Sequence, residues 1–243
     1  MKKIIIINNL CKSYGSKKAV INFSAQINKG QCFGLLGSNG AGKSTTIECI
    51  LGTKKADSGS VSILGLDPHK DRKLLFEKVS VQFQESHYQN KIKVYELCEQ
   101  TECLYNDTEN YNTLLSEFGL EDKKNSFVSE LSGGERQKLF VLLTLIPKPK
   151  VVFMDELTTG LDIKSRREIW EYLKKLKQKG LTIFLTSHYM DEVETLCDEI
   201  CILKYGETVF KGTVEDAMKE SNHNNLEDTY LWFTSHEEHN DGI

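Results

Sequence analysis

Nine consecutive residues, Gly37–Thr45, have the types and spacing of a loop that binds phosphate groups. They read GSNGAGKST and match the pattern GxxxxGK[ST]. Glycines in such a loop let backbone N–H groups turn inward around phosphate oxygens, while Lys43 adds a full positive charge. The Ser44 hydroxyl is a suitable ligand for Mg2+. We therefore predict a nucleotide-phosphate site formed by Gly37, Ser38, Asn39, Gly40, Ala41, Gly42, Lys43, Ser44 and Thr45.

Two adjacent carboxylates follow a short apolar run elsewhere in the chain. Val151–Met154 leads directly into Asp155 and Glu156. In an open parallel sheet, ligands bind beyond the carboxyl ends of the strands. Asp155 is suited to the Mg2+ side of a nucleotide, whereas Glu156 is suited to orient and polarise an attacking water. An acidic pair after an apolar run is by itself more often a turn, but the phosphate motif in the same chain favours the catalytic interpretation.

The elements that position these residues are predicted from hydrophobic patterns. An apolar run precedes the phosphate motif and a helical pattern follows it, which is the context that the motif requires. This context disfavours the alternative, a glycine-rich turn without a ligand. Strands that alternate with helices predict a mainly parallel sheet covered on both faces. The predicted core elements are strands at Cys32–Leu36, Val151–Met154 and Leu181–Leu185 and helices at about Lys43–Leu51, Gly134–Ile146 and Ser165–Lys179.

Two further subdomains are predicted beside this core. Apolar and polar residues alternate over Ile21–Asn28, which indicates a half-buried strand of an antiparallel sheet. Residues from about 85 to 150 are expected to form an inserted helical subdomain. The sequence thus predicts an α/β fold with a mainly parallel core sheet, an N-terminal antiparallel β subdomain and a helical insertion, all within residues 1–220. Residues 221–243 are expected to be a polar tail that frays outside Leu226–Thr234.

Composition excludes several classes of protein. The 243 residues are 39% hydrophobic and 27% charged, which is typical of a folded globular protein. A formal net charge of -4 lacks the basic footprint of a nucleic-acid binder, so no nucleic-acid partner is expected. The seven cysteines include no CxxC pair, which argues against a zinc site. No apolar stretch approaches the roughly 20 residues of a spanning helix, so any membrane role is expected to require another polypeptide.

A third motif makes the resemblance to a known family specific. Leu131–Glu135 reads LSGGE, where a serine and backbone N–H groups form a second anion-binding helix start. This element closely resembles the LSGGQ signature of ABC ATPases, and about residues 1–215 follow that family in motif order. The resemblance implies a P-loop NTPase that binds ATP and Mg2+ and hydrolyses the ATP. It also implies that Ser132, Gly133, Gly134 and Glu135 contact nucleotide.

The resemblance assigns roles to four more residues. Tyr14 matches the aromatic residue that stacks on adenine, and His188 matches the histidine that contacts the terminal phosphate. Gln84 is similar to the glutamine that links Mg2+ and the attacking water to the helical subdomain, with Gln82 as a structural competitor on the same strand face. Asp162 lies in a loop that resembles the meeting point of two subunits. The implied catalytic residues are Glu156, His188 and Gln84, and the implied metal ligands are Ser44, Gln84 and Asp155.

Two positions depart from the family pattern. Leu157 stands where the family usually has Pro, which puts the stiffness of that loop in doubt but removes no catalytic group. Glu135 stands where the family usually has Gln and leaves Ser132 and Gly133 intact.

The family's architecture also implies partners. One phosphate loop and one signature per chain imply a pair of ATPase subunits, either two copies or two different chains, joined to a separate integral-membrane subunit. The expected location is cytoplasmic, peripheral on the inner face of the cell membrane. Leu226–Leu231 resembles the C-terminal element of bacterial exporter ATPases, which implies export. The alternatives are a soluble ABC ATPase that remodels nucleic acid or ribosomes, and a module that holds ATP without cleaving it. The first is disfavoured by the single cassette, and the second by the presence of both Glu156 and His188.

Overall fold

Strands and helices alternate through most of the chain in the computed structural model, which describes residues 2–82, 88–89, 91–158 and 161–235. The strands are β1 Lys3–Tyr14, β2 Lys17–Asn28, β3 Cys32–Gly37, β4 Ser58–Ile63, β5 Val79–Gln82, β6 Val151–Asp155, β7 Thr182–Thr186, β8 Glu199–Lys204 and β9 Glu207–Gly212. The α-helices are α1 Lys43–Ile50, α2 Arg72–Phe76, α3 Val94–Glu102, α4 Tyr111–Glu117, α5 Gly133–Leu145, α6 Ile163–Gln178, α7 Met190–Leu196, α8 Val214–Ser221 and α9 Leu226–Ser235. Short 3-10 helices cover Glu121–Lys123 and Val128–Glu130.

The core is a six-stranded sheet in the order β5-β6-β7-β3-β8-β9. Its first five strands run parallel, and β9 returns antiparallel to β8. Every residue of β3 and β7 is buried, as expected for apolar runs covered on both faces. Because parallel strands end at the same edge, β3, β6 and β7 deliver the phosphate loop, the acidic pair and the His188 segment to one side of the sheet. Within this arrangement, Asp155 and Leu35 both lie in register with Thr186.

A second sheet contains three antiparallel strands in the order β2-β1-β4. Its inward residues, including Phe23 and Ile27, are fully buried against one face of the core sheet. The rings of Phe33 and Phe184 meet at 5.4 Å between centroids within that same cluster. Both β1 and β2 of this layer pack beside α1, and Tyr14 is the last residue of β1.

The other face of the core sheet is covered by helices. Leu97, Leu114 and Leu142 lie on α3, α4 and α5 and are buried in one apolar cluster. That cluster continues to Val152 and Leu185 of the core strands, so the helical subdomain shares its core with the sheet. Helix α5 begins at the signature, and β6 is the next element along the chain. A single helix therefore separates the signature from the acidic pair.

The sequence expectation of a parallel core, an antiparallel N-terminal sheet and a helical subdomain is confirmed. The element bounds agree closely, and the differences have local causes. Helix α6 begins before the predicted Ser165 because the Asp162 carboxylate caps it and accepts a hydrogen bond from the Ser165 N–H at 3.0 Å. The segment expected to remain ordered in the tail forms α9, whose Leu226 and Phe233 are buried beside Leu36.

Candidate functional site

The phosphate loop joins the buried end of β3 to the first turn of α1. Gly42 has a positive φ of 110°, and a Cβ atom at this position would lie only 2.2 Å from the carbonyl oxygen of Ala19. No larger residue fits this backbone without displacing β2. We name this loop, together with the first turn of α1, the phosphate cradle, because the N–H groups at a helix N-terminus suit phosphate.

Lys43 is directed into this cradle. Its Nζ donates to the carbonyl oxygens of Gly37 at 2.8 Å and of Ser38 at 3.3 Å, and the residue is only 6% exposed. Burial lowers the pKa of Lys43, while the negative charges of Glu156 and Asp155 oppose that shift. A phosphate bound in the loop would offer this ammonium a stronger, charged acceptor than backbone carbonyls do.

The acidic pair at the end of β6 is held by the neighbouring strand. The Thr186 hydroxyl donates to Asp155 Oδ1, and the Glu156 N–H lies 3.1 Å from both the carbonyl and the hydroxyl oxygen of Thr186. Glu156 has a positive φ of 53°, a left-handed conformation that costs a non-glycine residue about 1–3 kcal/mol. The strained backbone turns the Glu156 side chain away from the direction that a continuing strand would give it.

The Glu156 carboxylate meets His188 across the gap between two loops. The distance from His188 Nε2 to Glu156 Oε1 is 2.6 Å, although the residues lie 32 positions apart. The side chain of Glu156 is 13% exposed and that of His188 is 38% exposed, so the pair lies at the edge of the site. A carboxylate held by an imidazole beside a phosphate cradle has the geometry of a base that orients water.

The oxygen donors at this edge fit Mg2+. Ser44 presents an exposed hydroxyl at the start of α1, and Asp155 presents a carboxylate at the end of β6. Mg2+ prefers such hard oxygen ligands and keeps positions open for phosphate oxygens and water. The third predicted ligand, Gln84, lies outside the described residues, and its competitor Gln82 is buried at the end of β5.

Tyr14 presents an exposed aromatic ring at the end of β1. The residue is 45% exposed, and the ammonium groups of Lys12 and Lys54 each lie 5.5 Å from its ring centroid. Lys12 is held in turn by Asp57 at 3.0 Å. The ring is accessible for stacking on a nucleotide base, and Lys54, like Lys12, is paired with a carboxylate, that of Glu48 at 2.8 Å.

The signature forms the start of α5. Ser132 Oγ accepts from the Glu135 N–H at 3.2 Å, and Glu135 Oε2 accepts from the Ser132 N–H at 2.9 Å, which is a capping box. The backbone hydrogen bond from Ser132 lowers the pKa of Glu135, and Lys123 adds an ion pair at 3.2 Å. A Cβ atom on Gly134 would lie 3.2 Å from Ser165 Oγ and 3.7 Å from Asp162 Oδ2, so the signature and the start of α6 adjoin one another.

Two contacts around the acidic pair were not predicted. Thr186 binds both acidic residues, and the Gln137 amide of α5 donates to the carbonyl oxygen of Leu157. The register of β6 with β7 would identify Thr186, since a polar residue at the buried end of a neighbouring strand faces the same site. Leu157, which stands in place of the expected Pro, is fully buried, and its carbonyl oxygen accepts the hydrogen bond from Gln137. This hydrogen bond holds the loop in which the rigid Pro is missing.

Comparison with known proteins gives a consistent result. Residues 20–159 match the family model described as ABC transporter. The chain is 38% identical over 221 residues to the Nod factor export ATP-binding protein I of Rhizobium etli, covering 89% of this chain and 70% of that protein. It is 36% identical over 213 residues to the linearmycin resistance ATP-binding protein of Bacillus subtilis, covering 86% of this chain and 68% of that protein.

Solved structures agree at the level of the fold. An ATP-binding subunit of an ABC transporter superposes with a TM-score of 0.86 at 25% identity, covering 95% of this chain and 99% of that one. The ADP conformation of an ATP-binding cassette of an ABC transporter superposes with a TM-score of 0.82 at 25% identity, with the same coverage of both chains.

Proposed function

The chain belongs to the ABC transporter family, whose ATP-binding subunits are ATPases, and from that premise we propose that its ATP hydrolysis drives export through a separate membrane subunit. The observation that carries this function is the meeting of three groups at one sheet edge. These groups are the phosphate cradle with Lys43, the acidic pair, and His188 at 2.6 Å from Glu156. The direction of transport is supported by the names of the relatives from R. etli and B. subtilis, which are an export and a resistance protein.

In the proposed mechanism, the phosphate loop and Lys43 bind the triphosphate of ATP while Tyr14 stacks on the base. Ser44, Asp155 and Gln84 would hold Mg2+, which supplies positive charge to neutralise the phosphate oxygens. Glu156 then orients the attacking water and accepts its proton, and His188 holds the Glu156 carboxylate and contacts the terminal phosphate. The water oxygen bonds to the terminal phosphorus as the bond from that phosphorus to the bridging oxygen breaks, and ADP is the leaving group. Backbone N–H groups of the loop hold the ADP phosphates and are already in position for this step.

We propose that a second ATPase subunit completes each site. At the signature end of α5, the N–H groups of Gly133 and Gly134 are not used by the capping box and suit an anion, and Asp162 lies directly beside them. In a pair, these groups would contact the ATP held by the phosphate loop of the opposite subunit. ATP would then favour the closed pair over the separated subunits, because it binds the closed state better. Hydrolysis would remove this preference, and the two subunits would separate.

A mixed dimer tests this composite site. Ser132→Arg should leave ATP binding to the single subunit unchanged and block closure, because the bulky cation displaces the signature cap. Lys43→Ala should remove ATP binding at its own loop. A mixed dimer of the two variants retains one site with both an intact loop and an intact signature, so we expect about half of the wild-type number of working sites, measured by phosphate release. Mixed dimers that never recover any activity would contradict the composite arrangement.

The membrane subunit is proposed to dock on the segment from Gln84 to Val94, part of which lies outside the described residues. The described part contacts the helical subdomain, since the rings of Tyr88 and Phe140 lie 4.9 Å apart. Tyr88 also lines a cavity of about 410 Å³ between the helical subdomain and β5. In the described part of the chain, no helix has the length and apolar character needed to cross a bilayer.

Charge reversal on this segment tests the docking proposal. Lys91 is exposed, so Lys91→Glu should leave the basal ATPase rate of the isolated subunit within about twofold while weakening coupling to the membrane subunit by about tenfold, a typical interface effect. Lys175→Glu makes the same change on an exposed residue of α6 and serves as the control. The measurement is ATP-driven transport in vesicles together with crosslinking from residue 91. Crosslinks to soluble proteins alone would count against the transporter function.

A further inference from the structure

A buried carboxyl group lies behind the catalytic edge. Glu192 of α7 is 0% exposed, and its Oε1 accepts two hydrogen bonds from other parts of the chain. One comes from Thr158 Oγ1 at 2.8 Å and the other from Trp170 Nε1 at 3.0 Å. Thr158 is also 0% exposed, so neither bond competes with solvent.

The positions of these residues relate them to the catalytic pair. Thr158 follows Glu156 by two residues, and Glu192 follows His188 by four. The loop after β6 therefore meets the chain after β7 twice. Glu156 lies 2.6 Å from His188 in the loop after β7, and Thr158 lies 2.8 Å from Glu192 in the first turn of α7.

Helix α6 is tied to the same place. Trp170 is only 6% exposed and donates its indole N–H to Glu192 from the third turn of the helix. In the first turn, Arg166 stacks over the Tyr189 ring at 4.6 Å and lies 3.6 Å from Asp191. Because α6 begins directly after Asp162, these contacts join the start of that helix to the His188 loop.

The chemistry of Glu192 is that of a hydrogen-bond acceptor rather than of an exposed charge. Burial raises the pKa of Glu192, and the hydrogen bonds from Trp170 and Thr158 oppose the rise. A carboxyl group in such a place costs stability unless its donors are well placed, and an apolar side chain of similar size would need no donors. The bonds from Thr158 and Trp170 to Glu192 therefore constrain the loop after β6 and helix α6 relative to α7.

We propose that Glu192 is a positioning residue for ATP hydrolysis, whose buried bonds to Thr158 and Trp170 set the distance between the Glu156 loop and the His188 loop. This inference rests on the proposed function, in which Glu156 and His188 act on the terminal phosphate. Neither Glu192 nor Thr158 belongs to the phosphate cradle. Their effect should therefore fall on the chemical step and leave nucleotide binding unchanged.

The test compares substitutions that remove or retain the hydroxyl and the acceptor. Thr158→Val keeps the side-chain volume and removes the hydroxyl, so kcat should fall by about tenfold, because misplacing a catalytic group by 1 Å lowers the rate by up to about 100-fold. Thr158→Ser retains the hydroxyl and should keep most of the wild-type kcat. Glu192→Leu removes the acceptor for both donors and should lower kcat by about 100-fold. Glu192→Gln retains an amide oxygen for both bonds and should stay within about threefold of wild type. In each variant the KM for ATP should change by less than about twofold.

Thr229→Val provides the matched control. Thr229 is a fully buried threonine of α9 whose hydroxyl is hydrogen-bonded to Asn225 at 2.8 Å, far along the chain from the catalytic loops. The Thr229→Val variant should be less stable than the wild type and should keep the wild-type kcat. Thermal unfolding of every variant separates stability from rate, and the Thr158 pair decides the matter if Glu192→Leu does not fold.

The outcomes separate this inference from the proposed function. A Glu156→Gln variant that hydrolyses ATP at the wild-type rate would remove the base from the proposed mechanism, and this inference would lose its premise. If Glu156→Gln is slow but Thr158→Val and Glu192→Leu retain wild-type kcat, only the positioning role is wrong. The positioning role would also be wrong if Thr158→Ser does not restore the kcat that Thr158→Val loses, or if Thr229→Val loses as much kcat as Thr158→Val.

Discussion

Replacing Glu156 with Gln leaves ATP bound and slows its hydrolysis by about 10^2 to 10^4-fold, the usual contribution of a general base. Gln has nearly the same size as Glu and keeps an oxygen that can accept a hydrogen bond from His188 at the 2.6 Å position. It cannot accept a proton from water at neutral pH. The phosphate cradle and Lys43 are unchanged, so the loss should appear in kcat rather than in nucleotide affinity.

The same variant should accumulate as a closed pair. If ATP joins two subunits, an ATP that is not cleaved keeps them joined, and the Glu156→Gln protein should elute as a dimer where the wild type is mostly monomeric. Size-exclusion chromatography with ATP and Mg2+ and a parallel phosphate-release assay measure both properties. Glu171→Gln makes the same chemical change on an exposed residue of α6 and should behave as wild type. If Glu156→Gln hydrolyses ATP at the normal rate, the catalytic role belongs to another residue, and His188 is the first candidate. If the variant is slow but never dimerises, the ATP-joined pair is wrong.

The second large effect is expected at Lys43. Lys43→Ala should weaken ATP binding by at least roughly 100-fold, because losing charge-assisted hydrogen bonds to phosphate costs about 3 kcal/mol in total. The fold should survive, since the two acceptors of the Lys43 ammonium, the carbonyls of Gly37 and Ser38, face the cradle and can bind water instead. The expected result is loss of affinity without unfolding.

Equilibrium titration with ATP and Mg2+ checks this expectation. Thermal unfolding gives an independent reading, because a ligand that binds only the native state raises its stability and Lys43→Ala should lose that ATP-dependent rise. Lys70→Ala, on an exposed residue outside the cradle, provides the control. Retained affinity in Lys43→Ala would remove this residue from the phosphate site.

The parts of the site that are local in sequence could be predicted from it. A phosphate loop is a continuous motif between a strand and a helix, so Gly37–Thr45 carries its own context. The acidic pair could be placed because β6 is an uninterrupted apolar run that ends at Asp155. The sequence pattern places the start of α6 at about Ser165 instead of Ile163, because Asp162 is interpreted there as an interface residue and not as the cap of the helix.

The parts that depend on tertiary contacts could not be predicted. Glu156 and His188 lie 32 positions apart, and only the adjacency of β6 and β7 brings them together. Glu192 gives no sequence signal, because an acidic residue on a short helix is usually exposed. Its burial follows from the packing of α6 over α7, which placed Trp170 and Thr158 around it.

In the proposed mechanism, the left-handed backbone at Glu156 sets catalysis against stability at this one position. A glycine there would adopt the φ of 53° without strain and should give a more stable fold, but it would carry no base. A β-branched residue would fit neither purpose, since it tolerates this conformation poorly. Selection for fold stability alone would therefore disfavour Glu at residue 156. If Glu156 is the proposed base, an ATPase engineered for thermostability by computed energies should have this residue held constant, because a glycine that relieves the strain would leave the protein inactive.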